Sequence, residues 1–126
     1  MSQGERTNVL VVEDDDLLGE LVTAALSAAG FCTQTITRGH VALRVIESNA
    51  AIGLLFTDII LADSMNGATL ASRARALRPE LPIVYASAFL SAADIDPLVP
   101  RSIFVPKPYD PLEVCTLFNR LAPASR

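Results

Sequence analysis

The sequence predicts one α/β domain built on a doubly wound, parallel, five-stranded sheet in the order 2-1-3-4-5. Two observations and one rule carry that expectation. Short apolar runs of strand length alternate along the chain with segments whose apolar residues recur at helical spacing. The cores of the central runs, residues 9–12 and 53–56, are continuously apolar or glycine rather than alternating, as in strands buried on both faces. Right-handed crossovers between such strands favour the doubly wound order, with its switch point between the first and third strands.

The elements follow in turn. Asn8-Val9-Leu10-Val11-Val12 is a buried strand that runs into four acids, Glu13, Asp14, Asp15 and Asp16. Acids suit a helix amino terminus, where they cap free N–H groups and meet the positive end of the dipole. Leu18, Leu21, Val22, Ala25, Leu26 and Ala29 then fall on one helical face, and Gly30 is placed to end the helix in a left-handed conformation. Residues 31–36 are short and alternating, which predicts an edge strand. Thr37 caps a second helix reaching Ser48, with Ala42, Val45 and Ile46 inward.

Gly53-Leu54-Leu55-Phe56-Thr57-Asp58 is the central strand, and residues 59–66 form the loop after it. Gly67 opens a third helix that buries Leu70, Ala71, Ala74 and Leu77 until Arg78-Pro79 stops it. Residues 82–87 are the fourth strand, ending in a hydroxyl. From Ser91 to Val99 there is room for only a turn or two of a fourth helix, because Pro97 and Pro100 interrupt it. Residues 102–105 are the fifth strand, followed by Pro106-Lys107-Pro108-Tyr109. Asp110 caps the last helix, with Pro111 at its first position and Glu113 completing a capping box. Val114, Leu117, Phe118 and Leu121 make its inner face. Residues 1–7 are expected to be a flexible start, 8–122 the domain, and 123–126 a tail.

Composition narrows the function. A chain of 126 residues that is 51% hydrophobic can bury a full core and is not a disordered tail. A net charge of −4, with no basic run, argues against nucleic acid as a partner. No stretch approaches the roughly 20 apolar residues of a spanning helix, and the amino terminus lacks a signal-peptide core. Cys32 and Cys115 are far apart and His40 is the sole histidine, so a Cys/His zinc site is out and reduced thiols in the cytoplasm are expected. His40 reads as a surface residue, Cys115 as core and Cys32 as part of the edge strand. The absence of GxGxxG and GxxxxGK[ST] removes dinucleotides and nucleoside triphosphates.

In sheets of this kind ligands bind past the carboxyl ends of the strands. Those ends carry Glu13 and Asp14, then Asp58, then Ser87, then Lys107. Each residue alone has an ordinary explanation: helix or loop capping for the acids, surface charge for the lysine, a strand-end hydroxyl for Ser87. Together they crowd three carboxylates, which repel unless protons or a cation arrive. A partly hydrated Mg²⁺ suits so few hard oxygen ligands. A metal, an ammonium and a hydroxyl around one carboxylate nucleophile make a phosphoryl-transfer site.

Four segments, Val11-Val12-Glu13-Asp14, Leu54-Leu55-Phe56-Thr57-Asp58, Val84-Tyr85-Ala86-Ser87-Ala88 and Pro106-Lys107-Pro108, resemble the signature segments of bacterial response-regulator receiver domains. The resemblance runs from about Asn8 to Leu121. It implies a flavodoxin-like fold that accepts a phosphoryl group from the phosphohistidine of a histidine kinase or phosphotransfer protein. It implies Asp58 as phosphoacceptor, Asp14 as a direct Mg²⁺ ligand, Glu13 acting mostly through water, and the Ile60 carbonyl as a further ligand. Lys107 would pair with Asp58 and then with phosphoryl oxygens; Ser87 and the Ala88 N–H would bind a phosphoryl oxygen. Phe104 occupies the aromatic switch position, and Lys107-Pro108 the place of the family's cis peptide.

The chain also departs from the family pattern. The stretch Leu61-Ala62-Asp63-Ser64-Met65-Asn66-Gly67 lacks the usual Pro and is one residue longer, which predicts a looser loop. The fourth helix is short or irregular. Phe104 lacks the hydroxyl of the frequent Tyr, and the bulk of Phe89 would slow hydrolysis by excluding water. Tyr109 is expected to touch a partner. Of the adjacent Leu17 and Leu18 only one can face the core, leaving the other as an apolar patch for a partner helix. The expected molecule is a stand-alone receiver, monomeric or weakly dimeric, that acts through a downstream protein or onward transfer. It would be no enzyme beyond its own phosphorylation and dephosphorylation. A phosphorylation-independent interaction module is the alternative; a phosphohydrolase fits poorly, because no second Asp follows Asp58 as general acid.

Overall fold

A computed structural model describes residues 7–49, 51–59, 61, 65–87 and 99–121. The elements are β1 (Asn8–Val12), α1 (Asp16–Ala28), β2 (Cys32–Ile36), α2 (Gly39–Ser48), β3 (Ile52–Asp58), α3 (Gly67–Leu77), β4 (Ile83–Ser87), β5 (Ser102–Pro106) and α4 (Pro111–Leu121). The five strands are parallel in the order β2-β1-β3-β4-β5. This is the flavodoxin-like order expected from the sequence, with four helices among the described residues.

Successive strand residues point to opposite faces, and the core divides accordingly. Leu10, Val12, Leu55, Ile83 and Tyr85 pack with Ala42 and Ile46 of α2 and Leu70, Ala71 and Ala74 of α3. Val9, Val11, Leu54, Phe56, Val84 and Ala86 pack with Val22 and Leu26 of α1 and Val114 and Phe118 of α4. The sheet is therefore covered on both sides, which is why its central strands read as unbroken apolar runs.

Local signals explain most boundaries. Asp15 caps α1, its carboxylate accepting from the Leu18 N–H at 3.1 Å. Gly30 follows the helix at φ 101, a left-handed position that disfavours a side chain. Asn66 caps α3 through the Thr69 N–H at 2.8 Å, and Asp110 caps α4 through the Leu112 N–H at 2.9 Å. Arg75 and Arg78 tie the end of α3 to carbonyls of Leu81, Pro100 and Ile52.

Several expectations are corrected. Leu21 and Ala29 face solvent, because Gly19, Val22 and Leu26 set the buried phase of α1 and leave Leu21 more than half exposed. Leu77 is also largely exposed; Ala74 is the last buried residue of α3. Thr37 does not cap α2. The extended Arg38 holds that position without a side-chain hydrogen bond. Of the leucine pair, Leu17 is exposed and Leu18 half-buried. The expected fourth helix (91–99) falls almost wholly outside the described residues, as do the flexible start and the tail.

Among the described residues, no helix is long and apolar enough to cross a membrane. The corrected phase of α1 has a measurable consequence. Leu26→Ala should cost about 2–5 kcal/mol in urea unfolding and Leu21→Ala less than about 1 kcal/mol.

Candidate functional site

The sheet ladder continues past the strands and fixes the site residues. The Glu13 N–H donates to the Ile36 carbonyl at 3.0 Å, Ile59 to Ala86 at 3.0 Å, and Lys107 to Ser87 at 2.9 Å. Val12 lies beside Thr57, Asp58 beside Ala86, and Ser87 beside Pro106. Glu13, Asp58, Ser87 and Lys107 are thus carried to one edge of the sheet by neighbouring strands.

The side chains then meet. Lys107 Nζ lies 2.9 Å from Glu13 Oε1 and 3.0 Å from Asp58 Oδ2, bridging two carboxylates that are only 4% and 8% exposed. Glu13 Oε2 accepts from the Asp15 N–H at 3.1 Å. Oxygens of Glu13, Asp14 and Asp58 all lie within 4.8 Å of one another, with Asp14 on the exposed side. An all-oxygen set of this spacing, open to water at one member, fits a hard, partly hydrated divalent cation. Ser87 is buried at the end of β4, and Phe104 lies across from Tyr85 on β5, half-buried against the core. The Lys107–Pro108 peptide is cis, as expected. Ile60, Ala88 and Phe89 fall outside the described residues.

Electrostatics follow from burial. Desolvation raises the Asp58 carboxyl to about 7; the Lys107 hydrogen bond pulls it down and the charge of Glu13 pushes it up. Burial alone would lower the Lys107 ammonium, but its hydrogen bonds to Glu13 and Asp58 outweigh that and raise it. Lys107 is therefore a fixed positive charge beside an acid poised near neutrality.

Two contacts escaped the sequence reading. The buried Thr57 hydroxyl donates to the Asp58 carbonyl at 2.8 Å. A Cβ on Gly67 would come within 2.0 Å of that same carbonyl oxygen, and the Gly67 N–H donates to Ile59 O at 2.7 Å. The start of α3 thus lies directly on the backbone of Asp58, and only glycine fits. The single signal available was a glycine immediately after a capping Asn. Leu61 and Met65 of the intervening loop are buried in the core. Tyr109, for which contact with a partner was expected beside the packing reading, is half-buried and packs edge-on against Phe56, with ring centroids 5.5 Å apart.

Residues 9–119 match the family model described as the response regulator receiver domain. The chain belongs to that family. As a receiver domain it is 30% identical over 117 residues to the transcriptional regulatory protein CssR of Bacillus subtilis (strain 168), covering 90% of this chain and 50% of the relative. It is 29% identical to the DNA-binding transcriptional regulator NtrC of Bradyrhizobium sp. (strain RP501 Parasponia), covering 90% of this chain and 24% of that protein. The receiver domain thus spans half or less of these relatives. Among solved structures it is similar to a response regulator receiver protein from Sinorhizobium medicae WSM419, with TM-score 0.84, 30% identity and 93% and 94% of the two chains covered. The receiver domain of the hybrid histidine kinase CckA superposes with TM-score 0.78 at 26% identity, covering 90% and 97%.

Two outcomes follow for this receiver domain. Gly67→Ala forces backbone apart at Asp58 and should cost about 1–3 kcal/mol in chemical denaturation. The folded Asp58 keeps its proton up to about pH 7, whereas its ordinary value is 3.8. The folded state therefore binds more protons between those values, and this contribution to stability is lost as pH rises through 7. Thermal unfolding without metal should show that decline, and Asp58→Asn should flatten it.

Proposed function

We propose that this receiver domain is a phosphoacceptor that takes a phosphoryl group onto Asp58 from the phosphohistidine of a histidine kinase or phosphotransfer protein. The observation that carries the reading is the Lys107 ammonium lying within 3.0 Å of a buried carboxylate at the sheet's carboxyl edge. An Asp58 oxygen attacks phosphorus in line with the P–N bond. That bond breaks, the donor imidazole leaves with the electron pair and takes a proton from solvent, and an aspartyl phosphate remains.

Lys107 then turns from the Asp58 carboxylate to a phosphoryl oxygen, where charge develops during transfer. Glu13, Asp14, Asp58 and the Ile60 carbonyl would hold Mg²⁺, which when bound supplies positive charge for the same oxygens. The Ser87 hydroxyl and the Ala88 N–H bind a further phosphoryl oxygen. Phosphorylation shifts a pre-existing equilibrium of the Ser87 loop and Phe104, altering the surface presented to a downstream protein. The phosphoryl group either produces that signal or passes onward. Beyond its own phosphorylation and dephosphorylation the domain has no turnover.

The donor's approach is supported by the surface beside the acids. A groove of about 350 Å³ opens next to Glu13 and is lined by Asp15, Asp16, Glu20 and Thr35. Leu17 and Leu21 are exposed on the same helix and form an apolar patch for a donor helix. This chemistry belongs to the cytoplasm, consistent with the free thiols of Cys32 and Cys115.

Incubation with Mg²⁺ and acetyl phosphate, followed by intact-mass measurement, tests the reading. Wild type should gain the mass of one phosphoryl group and Asp58→Asn none. Lys107→Ala should gain it about a hundredfold more slowly. No gain in wild type would favour a phosphorylation-independent interaction module, and sustained hydrolysis a phosphatase.

A further inference from the structure

Thr57 is a polar residue at a place where packing asks for none. It is fully buried, and in its cross-strand row it lies between Val12 of β1 and Tyr85 of β4. Both neighbours belong to the apolar core. Valine has the same branched shape and would fill the position as well. The apolar layer therefore does not account for the hydroxyl. The bond it makes, 2.8 Å to the Asp58 carbonyl, shows what it serves.

That carbonyl stands where the sheet ladder runs out. The Ile59 N–H of the same peptide unit donates to Ala86 of β4 at 3.0 Å. In a trans peptide the carbonyl points the opposite way, here toward β1. The pairing of β3 with β1 ends at Thr57 and Val12, one residue short of Asp58. Glu13, next after Val12, gives its N–H to Ile36 of β2. The Thr57 hydroxyl supplies the donor at this point, so the Asp58–Ile59 peptide is held at both ends. That hold ties Asp58 to β4, and β4 also holds Lys107, whose N–H donates to the Ser87 carbonyl at 2.9 Å. The carboxylate and the ammonium 3.0 Å from it thus share one frame. In-line attack depends on such a frame, because a misplacement of about 1 Å can cost about a hundredfold in rate.

We infer that Thr57 is a positioning residue for phosphoryl transfer. Its hydroxyl stands in for the ladder partner that β1 no longer offers and keeps the Asp58 carboxylate aligned between Lys107 and the incoming phosphorus. The inference rests on the phosphoacceptor reading above and adds to it a residue outside the cluster of charges. The stretch after Asp58 has no proline before Asn66-Gly67 to fix its course, so the hold on this peptide falls to the hydroxyl and to the close approach of Gly67.

Substitutions at this position separate the hydroxyl from the bulk. Thr57→Ser keeps the hydroxyl and loses the methyl, Thr57→Val keeps the bulk and loses the hydroxyl, and Thr57→Ala loses both. Thermal unfolding reads the fold. The initial rate of mass gain in saturating Mg²⁺ and acetyl phosphate reads the chemistry. All three variants should unfold earlier than wild type, through a lost methyl, an orphaned carbonyl or both. Thr57→Ser should nevertheless react within about twofold of wild type, whereas Thr57→Val and Thr57→Ala should react about tenfold more slowly. Thr57→Val at the wild-type rate, or Thr57→Ser as slow as Thr57→Ala, would overturn the inference alone, because rate would then follow packing and not the hydroxyl. A wild type that gains no mass would overturn the phosphoacceptor reading and this inference with it.

Discussion

One ammonium group shared between two buried carboxylates sets the terms for everything around it. Lys107 lies within 3.0 Å of both Glu13 and Asp58, and neither acid has appreciable contact with water. Removing one partner of such a buried set typically costs about 3–5 kcal/mol, because a charge is left without compensation. The balance is nevertheless not overwhelmingly ionic. Desolvation still wins at Asp58 and brings its carboxyl to about 7. A proton, the lysine and an incoming cation therefore compete for one group near neutral pH, and small changes in any of them alter its state.

The fold is arranged to hold that competition in place. Parallel strands bring residues from distant parts of the chain to the same edge, and ladder bonds running one residue past β1 and β5 hold Glu13 and Lys107 there. On the other side of Asp58 the backbone is gripped by the Thr57 hydroxyl and by the close approach of Gly67. The apolar layers on both sheet faces supply the stability against which a strained cluster of charges can persist. Rigid elements carry the acids and the lysine, and the exposed Asp14 leaves an opening for ions and partners.

Much of this was legible in the sequence. Strand positions were readable to within about a residue because continuous apolar runs end abruptly at acids, prolines or glycines. Once the strands were placed, Glu13, Asp14, Asp58, Ser87 and Lys107 followed from their positions at strand ends. What was not legible depends on packing between elements. The outward turn of Leu21 follows from which face of α1 meets the sheet, and the exposure of Leu77 from where α3 leaves it. Thr37 looked like a cap because its type fits, but the chain runs on to Arg38 before α2 begins. The seat of Tyr109 on Phe56 and the contact of Gly67 with Asp58 join residues far apart in sequence, and no local pattern announces either.

The central claim is that position 58 is where covalent chemistry occurs. Borohydride reduction of protein treated with Mg²⁺ and acetyl phosphate converts an aspartyl phosphate to homoserine, which peptide mass mapping locates. The account predicts homoserine at position 58 alone. Homoserine at another acid, with position 58 still aspartate, would contradict it.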